Sequence, residues 1–231
     1  MIVFADANLD DVIESVKLNL CVQAGQMCVQ GSRLLVHDDI YDEFVDRATQ
    51  AVKGIVVGLA PEMDTELGPL ISEKQMLRVL SMVDEARQDG CVVLTGGKRA
   101  DQPPLDKGFF VEPTLIAGAT TSLRICQEEI FGPVLTIQRW NDVEQMIAEA
   151  NDTRYGLAAG LWTTDLISAH SVARRMECGT VWINGYYNFK AGAPIGGYKA
   201  SGFGSEGALE TIKYAYSHSK SVIIKAGTSQ H

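Results

Sequence analysis

From Ile2 to Ile183 the chain alternates short, uninterrupted apolar runs with helical stripes, and few architectures accept such a pattern. Ile2-Val3-Phe4 is apolar throughout. Asn8 then stands as an N-cap before Leu9, Val12, Ile13, Val16 and Leu20, which follow a helical spacing. Arg33 to Val36 reads as a strand. Tyr41, Phe44, Val45, Ala48 and Val52 mark a second helix, for which Asp38 or Asp39 is the expected cap. Met76, Leu77, Leu80, Val83 and Ala86 form a third stripe, followed by Gly90 and a strand at Cys91 to Leu94. Further strands are expected at Pro133 to Ile137, Leu157 to Trp162 and Thr180 to Ile183, with helices at Val143 to Ala150 and Ala169 to Met176. Strands that are apolar on both faces must be covered on both sides. Their alternation with helices lays them side by side in one direction. The expected fold is therefore α/β, a mainly parallel sheet with flanking helices.

The pattern changes near the end. Gly202, Gly204 and Gly207 form a flexible patch, and a helical stretch runs from Ala208 to Tyr216. Ser219 to Lys225 then reads as an apolar strand with no helix after it. Such a strand must extend its own sheet or that of another subunit.

The 231 residues, 46% of them hydrophobic, suffice for one sizeable core. The net charge of −9 repels phosphate backbones and anionic lipid, so no nucleic acid and no membrane surface is expected as a partner. No apolar run has the length of a membrane span, and MIVFADANLDD has no basic, then apolar, leader pattern. The five cysteines are odd in number and lack CxxC spacing, which suggests neither a disulfide framework nor a zinc site. Reduced thiols fit a cytoplasmic protein. His37, His170, His218 and His231 are scattered without ligand spacing, so no metal is expected.

Three segments carry chemistry. In Gly25-Gln26-Met27-Cys28-Val29-Gln30-Gly31-Ser32-Arg33 a cysteine sits between glycines on a turn after a helix. Backbone N–H groups there could hold the oxyanion formed when a thiolate attacks a carbonyl. By residue type alone, a small buried cysteine is the commoner reading. In Gln127-Glu128-Glu129-Ile130-Phe131-Gly132-Pro133, a carboxylate could accept hydrogen bonds from both hydroxyls of a ribose, or the pair could be a solvated acidic turn. Ala193 to Gly207 is rich in glycine, but it matches neither a dinucleotide fingerprint nor a P-loop. A tight loop packed near a site fits it better.

Together these segments resemble the aldehyde dehydrogenase superfamily. The Gly25-Gln26-Met27-Cys28 turn with Gly31-Ser32-Arg33, the Glu128 to Val134 block and the Pro194 to Gly202 block stand in family order. Leu67 to Leu70, Tyr155 to Ala158 and Gly179 to Asn184 are also similar to family segments. The resemblance implies oxidation of an aldehyde to a carboxylate through a thiohemiacetal and thioester on Cys28, with NAD or NADP as acceptor. It implies that Glu129 binds the nicotinamide ribose, that Phe131 packs beside it, and that Glu206 joins a proton relay. Met27, Val29, Asn184, Phe189 and Ile195 are implied to shape the substrate pocket. The implied division is a catalytic, thiol-bearing domain at 1–207, a connecting helix at 208–216, and an oligomerisation arm and tail at 217–231, through which a homo-oligomer would form.

Three departures accompany this resemblance. The family's Glu-Leu-Gly-Gly-Lys segment with its general base, its oxyanion-hole asparagine and its cofactor domain have no counterpart in these 231 residues. Ser205 stands where an arginine is common, and Ile195 where an aromatic is common. Cofactor binding by this chain alone is accordingly expected to be weak. Two alternatives follow: a cofactor-independent thiol esterase, or an inactive chain that only folds and associates.

Overall fold

The computed structural model describes residues 1–225. The strands in chain order are β1 (Ile2–Val3), β2 (Arg33–His37), β3 (Val92–Thr95), β4 (Thr114–Ala117), β5 (Val134–Trp140), β6 (Tyr155–Gly156), β7 (Ala158–Trp162), β8 (Thr180–Ile183), β9 (Ile195–Gly196), β10 (Tyr198–Lys199) and β11 (Ser205–Glu206). The helices are α1 (Leu9–Cys21), α2 (Asp38–Lys53), α3 (Glu73–Gln88), α4 (Arg124–Gln127), α5 (Val143–Asn151), α6 (Leu166–Arg175) and α7 (Leu209–Ala215). Seven strands form one sheet in the order β3-β4-β5-β2-β1-β7-β8. Every neighbouring pair is parallel except β3 with β4.

The two residues of β1 show why its run is apolar on both faces. Successive side chains of a strand point to opposite sides of the sheet. Val3 joins the larger core, with Val12, Val16 and Leu20 of α1 and Phe44 and Val52 of α2. Ile2 joins the other core, with Leu35, Met146 and Ile147 of α5, Leu161, and Val172 of α6. Helices thus cover both faces, as a parallel sheet requires.

Asn8 caps α1, its side chain accepting from the Asp10 N–H at 3.1 Å. At α2 the cap differs from expectation. His37 Nδ1 accepts from the Asp39 N–H at 3.2 Å, while Asp38 and Asp39 lie inside the first turn. There they still complement the positive end of the helix dipole. Helix α6 begins at Leu166, three residues before the apolar stripe does, because Asp165 caps it and its first turn leaves Leu166 and Ile167 exposed. Strand β4 had no expectation attached. Its four residues lie between Pro113 and Gly118, too short a run for a period to show. Cys178 lies beyond α6 in the bend before β8.

Asp6 ties the exit of β1 to the corner between β7 and α6. Its carboxylate accepts from the hydroxyls of Thr163 and Thr164 and from the N–H groups of Thr164 and Asp165. Partial burial alone would raise its pKa. The Thr164 and Thr163 hydrogen bonds outweigh that and hold it below the usual carboxylate value. A depressed carboxylate stabilises the fold above its unfolded pKa, and this contribution fades as pH falls through the folded one. Asp6→Ala is expected to cost about 1 kcal/mol near pH 7, a fall in Tm of about 2–4 °C. The difference from wild type should shrink as pH falls below the ordinary carboxylate range. Thermal melts across that range check this; a pH-independent gap would contradict it.

Helix α7 buries none of its residues, and residues 217–225 form no strand in the single chain. Val222, Ile223 and Ile224 are exposed there. The last part of the expected arm and tail, 226–231 with His231, lies outside the described residues. Among the described residues no helix is long and apolar enough to cross a membrane.

Candidate active site

After α1 the backbone turns sharply. Gln23, Ala24 and Gly25 take left-handed φ values of 51°, 55° and 70°. A tight turn follows, closed by the Gln30 N–H donating to the Met27 carbonyl at 2.9 Å. Cys28 occupies its tip and is exposed; Val29 is buried and Met27 half-buried. The Cys28 and Val29 N–H groups donate to no acceptor among the described residues. The turn then feeds β2 at Arg33. The Arg33 guanidinium donates to the Ala150 carbonyl at 2.7 Å and the Glu149 carbonyl at 3.3 Å, satisfying the last turn of α5.

A cavity of about 340 Å³ opens beside the thiol. Its lining includes Met27, Cys28, Val29, Glu129, Tyr186 and Ser201. It lies at the amino ends of β1, β2 and β7. Ligands of open parallel sheets usually meet the carboxyl ends, so sheet topology alone would have pointed to the wrong end.

The two adjacent glutamates differ in what surrounds them. Glu128 is taken up by arginines, Arg124 at 3.2 Å and Arg78 at 3.5 Å. The Arg124 pairing holds its carboxyl below the usual range. Glu129 makes no ion pair among the described residues and points to the cavity edge. It keeps appreciable surface, but nearby protein bulk still lifts its carboxyl above the usual range, with Arg78 pulling the other way. Phe131 is half-buried at φ 58°, outside the cavity lining. The loop is held from α3, where Gln75 Nε2 donates to the Ile130 and Phe131 carbonyls at 3.1 and 2.8 Å. It is also joined to the thiol turn, since Gln30 Nε2 donates to the Gly132 carbonyl at 2.9 Å.

An aromatic group follows β8. Tyr186 packs on Trp182 with ring centres 4.8 Å apart, and Tyr187 stands edge-on to Tyr186 at 4.9 Å. The buried Tyr186 hydroxyl donates to the Val29 carbonyl at 2.9 Å. Phe189 is exposed and meets Trp182 edge-on at 5.3 Å, with Trp182 and Tyr186 between it and the cavity. The Asn184 amide is engaged elsewhere, accepting from the Thr163 N–H and donating to the Thr163 carbonyl. Gln23, Ala24, Phe131, Asn184, Tyr187 and Lys199 are non-glycine residues with positive φ, and they all lie in the segments around this site. Backbone strain of this kind concentrates where function over-determines geometry.

The glycine-rich segment packs as a loop, as expected. Ser201 Oγ accepts from the Gly156 N–H at 2.9 Å, and Ala200 and Ser201 line the cavity. Lys199 pairs with Glu177 at 2.6 Å. Gly179 is obligatory beside this segment, because a Cβ there would collide with the Gly196 carbonyl. Ile195 faces Glu206 in the β9–β11 ribbon. Both lie outside the cavity lining, and Glu206 is exposed. The structure thus brings Met27, Cys28, Val29 and Glu129 to one cavity. Phe131, Asn184, Phe189, Ile195 and Glu206 stand around it without lining it.

Sequence reasoning passed over Asn19, Gln30, Tyr186 and Tyr187. The one available signal was Asn19 itself, a polar residue among the apolar positions of α1.

The sequence model of the aldehyde dehydrogenase family matches residues 1–222. Betaine aldehyde dehydrogenase of Bacillus subtilis (strain 168) is 44% identical over 205 residues, which are 89% of this chain and 42% of that protein. The betaine aldehyde dehydrogenase of Mesorhizobium japonicum is 39% identical over 98% of this chain and 46% of its own length. Among solved structures, betaine aldehyde dehydrogenase from Staphylococcus aureus in complex with NAD+ superposes with a TM-score of 0.89 at 40% identity, over 92% of this chain and 42% of that one. The NAD+ complex of aldehyde dehydrogenase from Bacillus cereus gives 0.85 at 40% identity, over 91% and 43%. The chain spans less than half the length of these relatives. On these grounds the chain belongs to the aldehyde dehydrogenase family.

Proposed function

We propose that this chain supplies the thiol-bearing part of an enzyme that oxidises a small-molecule aldehyde to a carboxylate. One observation carries the reading: Cys28 stands exposed on a rigid turn beside two unspent N–H groups, on the same cavity as an unpaired Glu129. Cys28 Sγ attacks the carbonyl carbon, a C–S bond forms, and the carbonyl π pair moves to oxygen. In this reading the Cys28 and Val29 N–H groups, which have no acceptor among the described residues, stabilise that oxyanion. NAD or NADP, when bound, accepts the electron pair that the oxidation removes. The residues present fit one edge of it, since Glu129 is free to accept from ribose hydroxyls whereas Glu128 is not. Phe131 packs beside that edge. Water then cleaves the thioester, with Glu206 in the proton relay. Met27 and Val29 contact the substrate, and Asn184, Phe189 and Ile195 shape the wall behind them.

Residues 1–207 form the catalytic domain in this reading, 208–216 the connecting helix, and 217–231 an arm that joins a second copy. The exposed Val222, Ile223 and Ile224 support the last assignment, since pairing would remove them from water.

The test is acylation by nitrophenyl acetate followed by peptide mapping. The acetyl group is expected on Cys28, and Cys28→Ser should abolish the nitrophenol burst. Acetylation of another cysteine would overturn the assignment. Repeated turnover without NAD would favour the cofactor-independent esterase. Calorimetry with millimolar NAD is expected to show little heat, because only the Glu129 and Phe131 edge of the site is present. A micromolar Kd would refute that division of the cofactor site.

A further inference from the structure

Asn19 has no exposed surface, yet all of its polar atoms are engaged. Its Nδ2 donates to the Ser15 carbonyl at 2.8 Å, one turn back in α1. Its own carbonyl accepts from Gln30 Nε2 at 3.1 Å. The carboxamide oxygen has two donors: the Gly31 N–H at 2.7 Å and the Tyr187 hydroxyl at 3.1 Å. The first donor ends the turn that carries Cys28. The second belongs to a phenol whose ring stands edge-on, at 4.9 Å, to Tyr186, which lines the cavity beside Cys28. No apolar residue could replace this oxygen without leaving the buried Gly31 N–H unpaired.

We propose that Asn19 is a positioning residue for the acyl chemistry of Cys28. Its one carboxamide oxygen fixes the thiol turn through Gly31 and the aromatic group after β8 through Tyr187. The Cys28 turn and the aromatic group after β8 are therefore tied together through a single buried group. This rests on the proposed thiol chemistry. It adds that the angle between the Cys28 turn and the Tyr187 ring is determined from α1, by a residue that touches neither substrate nor cofactor.

Two reagents separate positioning from mere structural support. Iodoacetamide needs only an accessible, ionisable thiol. Nitrophenyl acetate also needs the turn's N–H groups aimed at the developing oxyanion. In the 231-residue chain, Asn19→Ala is expected to lower the rate of Cys28 acetylation about tenfold and to leave its alkylation within about twofold. Tyr187→Phe keeps the ring and removes only its bond to Asn19. It should lower acetylation about threefold with alkylation again unchanged, and it decides the matter if Asn19→Ala does not fold. Equal losses with both reagents, or wild-type acetylation in Tyr187→Phe, overturn the proposal. Failure of the wild-type chain to acetylate at Cys28 overturns the thiol chemistry and this proposal with it. Wild-type acetylation that the variants leave unchanged overturns this proposal alone.

Discussion

Brief treatment with iodoacetamide near pH 8 will label Cys28 before any other cysteine, by about 100-fold or more. Alkylation requires a thiolate that the reagent can reach. Cys28 is the one exposed cysteine among the described residues, while Cys91 and Cys126 are buried and Cys21 and Cys178 half-buried. Burial also keeps those four protonated. It pushes Cys21 up to about 11, helped by Glu66, and raises Cys91, Cys126 and Cys178 as well. At pH 8 Cys21 is therefore ionised at roughly one part in a thousand. Exposure and ionisation therefore act in the same direction. The measurement is peptide mass spectrometry over a time course. Early modification of Cys21 or Cys178 with Cys28 untouched would show that the turn is closed in solution. Cys28→Ser should remove the fast phase and leave the slow one.

A second large effect is expected at Gly25. Its φ of 70° is a conformation that side chains rarely adopt, and a Cβ there would collide with the Gly132 carbonyl. That carbonyl accepts from Gln30, so the collision falls on the contact between the thiol turn and the Glu129 loop. Gly25→Ala should cost about 3–5 kcal/mol, lowering Tm by about 10 °C. Gly54 serves as the control. It sits at the end of α2 with ordinary φ, and a Cβ there would make only ordinary contact, 3.4 Å from the Ala51 carbonyl oxygen, so Gly54→Ala should change stability by less than about 1 kcal/mol. Equal melting temperatures for the two variants would show that the close approach at Gly25 is not maintained in solution.

The parallel α/β architecture was legible because its signals are local. Apolar runs with two covered faces and stripes at helical spacing are properties of ten or so neighbouring residues, so the sheet and its main helices could be anticipated. Strand β4 escaped because four residues between a proline and a glycine carry no period. Cys28 and Glu129 were legible through resemblance. By chemistry alone, a cysteine on a turn and a pair of glutamates have commoner readings.

The sequence by itself determined the alternation that makes the sheet, the tight turn around Cys28, and membership of the aldehyde dehydrogenase family. Tertiary structure decided the rest. It left Glu129 without an ion pair among the described residues, because Arg78 of α3 and Arg124 of α4 converge on its chemically identical neighbour Glu128. It left one thiol exposed, two half-buried and two buried. It also gave Asn19 its partners at Gly31 and Tyr187, the second of them 168 positions away. A residue's type states what bonds it can form. Which of them it does form depends on what the fold places within about 3 Å, and local spacing carries no record of that.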